Sequence, residues 1–240
     1  MKPLGKKTYG SIPHLIGSKL GEGDHHVHEG QHRIATERTR DKHDFLIVQE
    51  KYDGSNVAVA KLGGKILALT RRGYLADSSP FSQHHYFGKW VEKHSGRFGR
   101  MLMEGDRVCG EWLLQAHGLK YQIPDEPFVA FDYFEGETRL NHGDFQLAVK
   151  KFDFNIPQII AFGSRAVPIE FCVERMSDGA ARWITSEGLP EGLIYRVERK
   201  GKLDFIAKWV RSDFVTGGLL PEYNGTGNEI WNFDLQKLAV

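Results

Sequence analysis

The stretch LIVQEKYDGSNVAVA, Leu46 to Ala60, places Lys51-Tyr52-Asp53-Gly54 between two apolar runs. Both runs are rich in the aliphatic and β-branched residues that suit strands. Asp-Gly is a common turn dipeptide, so the plain reading is a surface turn between two strands. The alternative is a nucleophilic lysine held at the edge of a nucleotide pocket. The flanking sequence has to decide between them.

Working outward, NVAVAKLGGKILALTRR reads as a hairpin with Gly63-Gly64 as its two-residue turn. EGLIYRVERKGKLDFIAKWV reads as a second, turning at Lys200-Gly201. RVCGEWLL and FVAFDYFE are short strands joined by QAHGLKYQIPDEP, and QIIAFG is another. Apolar spacing near the helical period predicts a helix over Gln83–Phe98, with shorter ones in HGDFQLAVKKF and IEFCVERM. Residues 1–43, polar and rich in Gly and His, read as a lead-in segment, either an ordered loop or short irregular structure. The tail, Ser212–Val240, is expected to end in a helical turn. Strands outnumber helices and most sequence neighbours pair antiparallel. The expected class is α+β, mainly antiparallel sheets with flanking helices. A length of 240 residues suits a single domain over 1–240, with no separate C-terminal domain expected.

Composition narrows the functions. The 32 Lys+Arg nearly balance the 31 Asp+Glu, for a net charge of +1, so a polyanion would have to be met by a local basic patch. Cys109 and Cys172 lie far apart with no metal-ligand spacing, as expected of buried thiols in a reducing compartment. No apolar run approaches membrane-spanning length, and MKPLGKKTYGS lacks the apolar core of a signal peptide. A cytoplasmic location is expected.

Polar residues interrupt the apolar strands at several places. Arg71 lies in LTRRG, Glu111 in CGEWL, Asp132 beside Phe131 in FVAFDYF, Glu191 at the head of EGLIYRV, and Lys208 in FIAKWVR. Charges inside strands are costly unless they point into a polar site. In this order EKYDGSN, TRRG, GEW, FVAFD, EGLIYR and AKWVR resemble the motifs of the covalent nucleotidyltransferase superfamily, which comprises ATP-dependent DNA ligases, RNA ligases and mRNA-capping guanylyltransferases. The likeness is closest to RNA ligases that seal nicked duplexes and to RNA-editing ligases, and it spans about Glu50 to Phe214. It implies a ligase nucleotidyltransferase (ATP-grasp-like) catalytic domain.

The resemblance also implies a chemistry. Lys51 would attack the α-phosphate of ATP to give lysyl-adenylate and pyrophosphate. AMP would then pass to an RNA 5′-phosphate, and a 3′-hydroxyl would displace it. Glu191 would hold Mg2+ or Mn2+ through water, with Asp53 nearby. Phe131 would stack on adenine, Glu111 would bind the ribose hydroxyls, and Glu50 would sit beside the purine edge. Arg71 and Lys208 would contact phosphates, and Asn56 would orient the reacting phosphate. A free lysine has a pKa of about 10.4, so metal and neighbouring cations would have to lower that of Lys51.

Two departures from the pattern stand out. A second lysine usually follows two residues after the last one, where this chain has Val210. Arg211 leaves a strand on the opposite face from Lys208's neighbour position. Relatives usually carry a further C-terminal domain, whereas about two dozen residues follow Phe214.

Each assignment has a plainer counterpart. Phe131 suits a core strand, and Glu111 and Glu191 suit a solvated surface. The His25, His26, His28, His32 cluster fits a solvated or phosphate-facing loop better than zinc, whose common spacings it does not match. Lys89, Lys93, Arg97, Arg100, Lys150 and Lys151 form either a solvated face or a nucleic-acid contact. The expected partner is RNA, or DNA, with 5′-phosphate and 3′-hydroxyl ends. The competing functions are an adenylyltransferase that activates ends without sealing, a DNA-nick ligase, and an inert nucleotide- or RNA-binding module.

Overall fold

A computed structural model describes residues 2–181, 183, 185 and 188–238. Among them are nine strands: β1 (Asp44–Lys51), β2 (Ser55–Leu62), β3 (Lys65–Thr70), β4 (Arg107–Trp112), β5 (Phe128–Glu135), β6 (Thr138–Arg139), β7 (Ile159–Gly163), β8 (Gly192–Arg199) and β9 (Lys202–Val210). They form two antiparallel sheets, ordered β7-β1-β8-β9 and β3-β2-β4-β5-β6. Five α-helices flank them: α1 (Glu29–Thr36), α2 (Ser82–Lys93), α3 (Ser95–Met101), α4 (His142–Lys150) and α5 (Ile169–Arg175). The α+β class and both hairpins are as the sequence leads one to expect. Each hairpin turns through two residues of positive φ, Gly63 (57°) with Gly64 (73°) and Lys200 (52°) with Gly201 (72°). That backbone twist matches the twist of the flanking strands.

The stretch around Lys51 is neither strand pair nor hairpin turn. β1 and β2 belong to different sheets, and Tyr52-Asp53-Gly54 carries the chain from one to the other. The crossing is tight. A Cβ on Gly54 would lie 2.6 Å from the Trp112 carbonyl oxygen and 2.7 Å from Leu113 Cδ2, so only glycine passes there.

Alternation along the strands divides the apolar residues. Leu46, Val48, Tyr195 and Ala207 of the first sheet pack outward against Ala35 of α1 and Cys172 of α5. Val57, Val59, Val108 and Trp112 of the second sheet pack outward against Phe87, Trp90, Phe98 and Phe145. Full burial of such side chains stabilises by about 1.5–3 kcal/mol each before entropy is counted. With both outer faces committed to helices, the inner faces of the sheets are left to form a cleft.

Two expectations need correction. The helix over Gln83–Phe98 is two helices, broken at His94 (φ −96°, ψ 14°). His94 Nδ1 lies 2.8 Å from the Trp90 carbonyl oxygen, closing the end of α2, and Gly96 and Gly99 weaken any continuation. The segment 1–43 is more than irregular lead-in. It contains α1, capped by His28 Nδ1 accepting from the Gly30 N–H at 3.1 Å. It also runs along β9: Leu15 N–H donates to the Lys208 carbonyl at 2.8 Å, Lys208 N–H to the Pro13 carbonyl at 2.9 Å, and Lys19 N–H to the Val210 carbonyl at 3.0 Å. At the other end of the chain, Leu238 N–H donates to the Asp234 carbonyl at 3.3 Å, a single helical turn. Among the described residues no helix is long and apolar enough to cross a membrane.

Candidate active site

The cleft between the sheets has a volume of about 940 Å³. Eight residues singled out from sequence line it: Glu50, Lys51, Asn56, Arg71, Glu111, Phe131, Asp132 and Lys208. Lys51, Arg196 and Lys208 come from β1, β8 and β9 of the first sheet, on the face opposite Val48, Tyr195 and Ala207. Asn56 and Glu111 are cross-strand partners on β2 and β4 of the second. Glu50 stands on the other face of β1 from Lys51, in register with Leu193, and is almost fully buried.

Lys51 Nζ lies 2.5 Å from Glu191 Oε2 and 3.4 Å from the Tyr52 carbonyl oxygen. Burial alone would lower the pKa of this amine. The charges of Glu191 and Glu111 outweigh it, and the net direction is upward. Lys51 is therefore held in its ammonium form, the reverse of what nucleophilic attack by this amine would need. The carboxylates bear the cost of crowding. Burial pushes Glu191 up to about 7, against the pull of Lys51. Burial pushes Glu111 up to about 8, with Lys51 again opposing and Glu191 reinforcing. Glu111 Oε1 accepts from the Gly54 N–H at 3.2 Å, which ties it to the crossing strand. Asn56 Oδ1 is buried without a hydrogen-bond partner in the cleft wall.

Asp53 does not line the cleft. Its Oδ2 accepts from the backbone N–H groups of Gly118 (2.5 Å) and Leu119 (3.2 Å), so it braces that loop behind Lys51. Among the described residues no three His, Cys, Asp or Glu side chains converge to hold a metal. The donor set nevertheless suits a hard divalent cation that keeps most of its waters, because Glu191 and Glu111 are crowded carboxylates that added positive charge would relieve.

Phe131 and Asp132 are consecutive yet both line the cleft. Strict alternation would send them to opposite faces. The β4–β5 register shifts between Cys109 and Gly110, so that Cys109 faces Asp132 and Gly110 faces Ala130. Phe131 is the extra residue of this bulge. Its ring meets Tyr9 edge-on, with centroids 5.0 Å apart. Asp132 is fully buried and accepts from Tyr9 Oη at 2.8 Å and Arg196 Nη1 at 3.1 Å, and it forms an ion pair, without a hydrogen bond, to Arg139 Nε at 3.1 Å. Arg196 belongs to the first sheet and Asp132 to the second, so this ion pair joins the sheets at the cleft.

Lys208 Nζ lies 3.5 Å from Asp24 Oδ1, and Asp24 Oδ2 is 2.8 Å from His14 Nε2. Burial lowers the pKa of Lys208, and Lys51 adds to the lowering while Asp24 opposes it. Val210 stands where a second lysine is usual; it is buried, and its N–H donates to Ser18 Oγ at 2.8 Å. Arg211 does not replace that lysine. Its Nε donates to the Pro190 carbonyl at 3.1 Å, and its Nη1 pairs with Asp213 at 2.7 Å. Arg71 Nη2 reaches the Gly10 carbonyl (3.2 Å) and Ser11 Oγ (3.1 Å).

Other sequence candidates fall outside the site. Arg97 is no solvated charge: Nε donates to the Phe152 carbonyl, Nη1 pairs with Glu126, both at 2.6 Å, and the guanidinium sits on the Phe154 ring. Of the histidine cluster, His28 caps α1. Sequence reasoning missed Tyr9, His14 and Asp24, which come from the N-terminal strip and carry no local motif. Arg196 could have been found, as a charge inside the apolar EGLIYRV strand.

Two inner sheet faces enclosing a half-buried lysine flanked by carboxylates define a nucleotidyltransferase-type cleft. The sequence model of the RNA ligase family matches residues 44–210, and the chain belongs to that family. A search of curated proteins found no match. Among solved structures, one described as an archaeal ATP-dependent RNA ligase, form 1, has a TM-score of 0.51 at 17% identity, covering 85% of this chain and 48% of that one. A mutant Naegleria gruberi RNA ligase described as holding ATP and Mn has a TM-score of 0.49 at 14% identity, covering 85% and 61%. A second archaeal ATP-dependent RNA ligase, form 2, has a TM-score of 0.46 at 19% identity, covering 70% and 43%. The match spans less than two thirds of the length of each of these structures.

Proposed function

We propose that this chain is an ATP-dependent RNA ligase that uses Lys51 as the covalent carrier of AMP. The observation that carries this reading is the Lys51 ammonium, hydrogen-bonded to Glu191 and lining the cleft with Glu111 and with Lys208 of the same sheet face. In the first step Lys51 gives up its proton, Nζ bonds to the α-phosphorus of ATP, and pyrophosphate leaves. Glu191, raised to about 7, lies at hydrogen-bond distance from Nζ and is placed to take that proton. Phe131 offers a face for adenine, with Tyr9 bracing it from the edge. Glu111 serves the ribose hydroxyls, and Arg71 and Lys208 the phosphates. A bound Mg2+ or Mn2+, held by Glu191 through water, would supply charge neutralisation on the phosphates and the leaving pyrophosphate. AMP then passes to an RNA 5′-phosphate, and a 3′-hydroxyl displaces it to form the phosphodiester.

Incubation with α-labelled ATP and a divalent cation should leave label on the wild-type protein through denaturing electrophoresis. A nicked RNA duplex should then be sealed. Label retained by Lys51→Ala would sink the reading. Val210 favours one alternative, an enzyme that activates ends without sealing, because the cleft lacks the second cation at that place. That alternative is recognised by adenylylated RNA accumulating without joined product.

A further inference from the structure

The outer wall of the cleft is unlike its floor. Residues 71–81 leave β3 through a turn and a single 3-10 turn, and carry three large exposed side chains: Tyr74 (43% exposed), Leu75 (41%) and Phe81 (52%). All three line the mouth of the cleft with Arg71 and Arg72. The N-terminal strip adds further positive charge. Lys2 Nζ lies 5.2 Å from the centroid of the Tyr74 ring, and Thr8 N–H donates to the Arg71 carbonyl at 3.0 Å, placing exposed Lys7 alongside. The two segments touch backbone to backbone. A Cβ on Gly73 (φ 87°) would lie 2.0 Å from the Lys6 carbonyl oxygen, so the lysine-bearing strip is seated on the aromatic turn. Acidic groups nearby are few: Glu137 pairs with Lys6, Asp77 stands exposed on the 3-10 turn, and Glu229 accepts from Ser82. Lys2, Lys7 and Arg72 keep the wall positive in a chain whose net charge is only +1.

We propose that this wall is the landing surface for the single-stranded end of a nucleic acid on its way to Lys51. Tyr74 and Phe81 offer stacking faces to successive bases, and Lys2, Lys7 and Arg72 meet the phosphates between them. Exposed aromatic rings interleaved with basic side chains are the arrangement that holds single strands without reading sequence. The surface is continuous with the cleft, which a strand must cross to deliver its 5′-phosphate. The inference rests on the proposed function for why a strand should come here, and its test is separable from that reading.

The experiment measures binding of a short, labelled, 5′-phosphorylated RNA by anisotropy, as a single strand and as a blunt duplex, across a salt titration. Self-adenylylation is assayed on the same preparations, and thermal melts confirm folding. Wild type should prefer the single strand. Tyr74→Ala with Phe81→Ala should weaken single-strand binding about 10- to 100-fold while self-adenylylation persists. Tyr74→Leu with Phe81→Leu, which keeps apolar bulk but loses the flat faces, should weaken it in the same direction. Lys7→Gln with Arg72→Gln should reduce the log–log salt slope by about 1.4, at about 0.7 per charge on single strands. Single-strand binding unchanged in both aromatic variants overturns the proposal, as does wild type that self-adenylylates yet binds the duplex as tightly as the strand. A protein that shows the rim-dependent binding but takes no label refutes the ligase reading and leaves the landing surface standing.

Discussion

Lys51 and Lys208 enter the same cleft from strands of the same sheet, and their surroundings push them in opposite directions. Lys51 is bonded to Glu191 with Glu111 beside it, and its pKa is raised despite burial. Lys208 has a single, longer contact with Asp24, itself shared with His14, and its pKa is lowered. The carboxylates around Lys51 hold it in place and protonated. Lys208 has little to release before it can meet a phosphate. Under the proposed function the restrained lysine is the nucleophile, and the available one the phosphate ligand.

The contrast can be broken outright by Lys51→Arg. A guanidinium stays protonated and cannot attack, so covalent labelling should fall below detection, while Lys208→Arg retains measurable labelling. Next in size is Glu191→Gln. Labelling should fall on the order of 100-fold or more, through the loss of positioning and of charge complementary to the metal. In the residual activity the acid limb of the pH–rate profile should move to lower pH, because Lys51 has lost its principal counter-ion. Lys208→Met should show no such shift, and an equal shift in both variants would erase the distinction drawn here.

Glu111→Gln tests the cost of the carboxylate cluster. The folded pKa of Glu111, about 8, lies above its ordinary value of 4.5. Between those pH values the folded chain keeps a proton that the unfolded chain has released, so this group's contribution to stability declines as pH rises through the window. The glutamine variant should flatten that decline and gain on the order of 2 kcal/mol relative to wild type at pH 8, since one pKa unit corresponds to about 1.4 kcal/mol. Thermal melts at pH 5 and pH 8 measure it, and a wild type equally stable at both would contradict it. Nucleotide affinity should fall in the same variant. The smallest effect is expected for Asp24→Asn, which loosens Lys208: ATP binding weakens about 3- to 10-fold with stability changed by about 1 kcal/mol, as for a partly exposed pair. Titration of ATP against labelling rate reads it.

Much of the site was legible because charge inside an apolar strand is conspicuous. Lys51, Glu111, Glu191 and Lys208 all announced themselves in this way, and both hairpins were marked by glycine at their turns. What was hidden was non-local. The bulge that brings Phe131 and Asp132 to one face depends on the register of β4 against β5, which neither strand encodes alone. The backbone bonds that Asp53 accepts from Gly118 and Leu119, far along the chain, could not be read from its place after Lys51 either. The break at His94 follows from a side chain closing on the Trp90 carbonyl, against an apolar periodicity that runs on to Phe98.

The strip that lies along β9 has a consequence for how the protein comes into being. Leu15 donates to Lys208 and Lys208 to Pro13 across about 190 residues of chain, so one flank of the cleft consists of contacts of very high sequence separation. Such contacts form slowly and late, after the entropy of a long loop has been overcome. A chain emerging from the ribosome holds Tyr9, His14 and Asp24 long before it holds the strand they lean on. Competence to bind nucleotide therefore waits for β9, and arrives in one step with the closing of that flank.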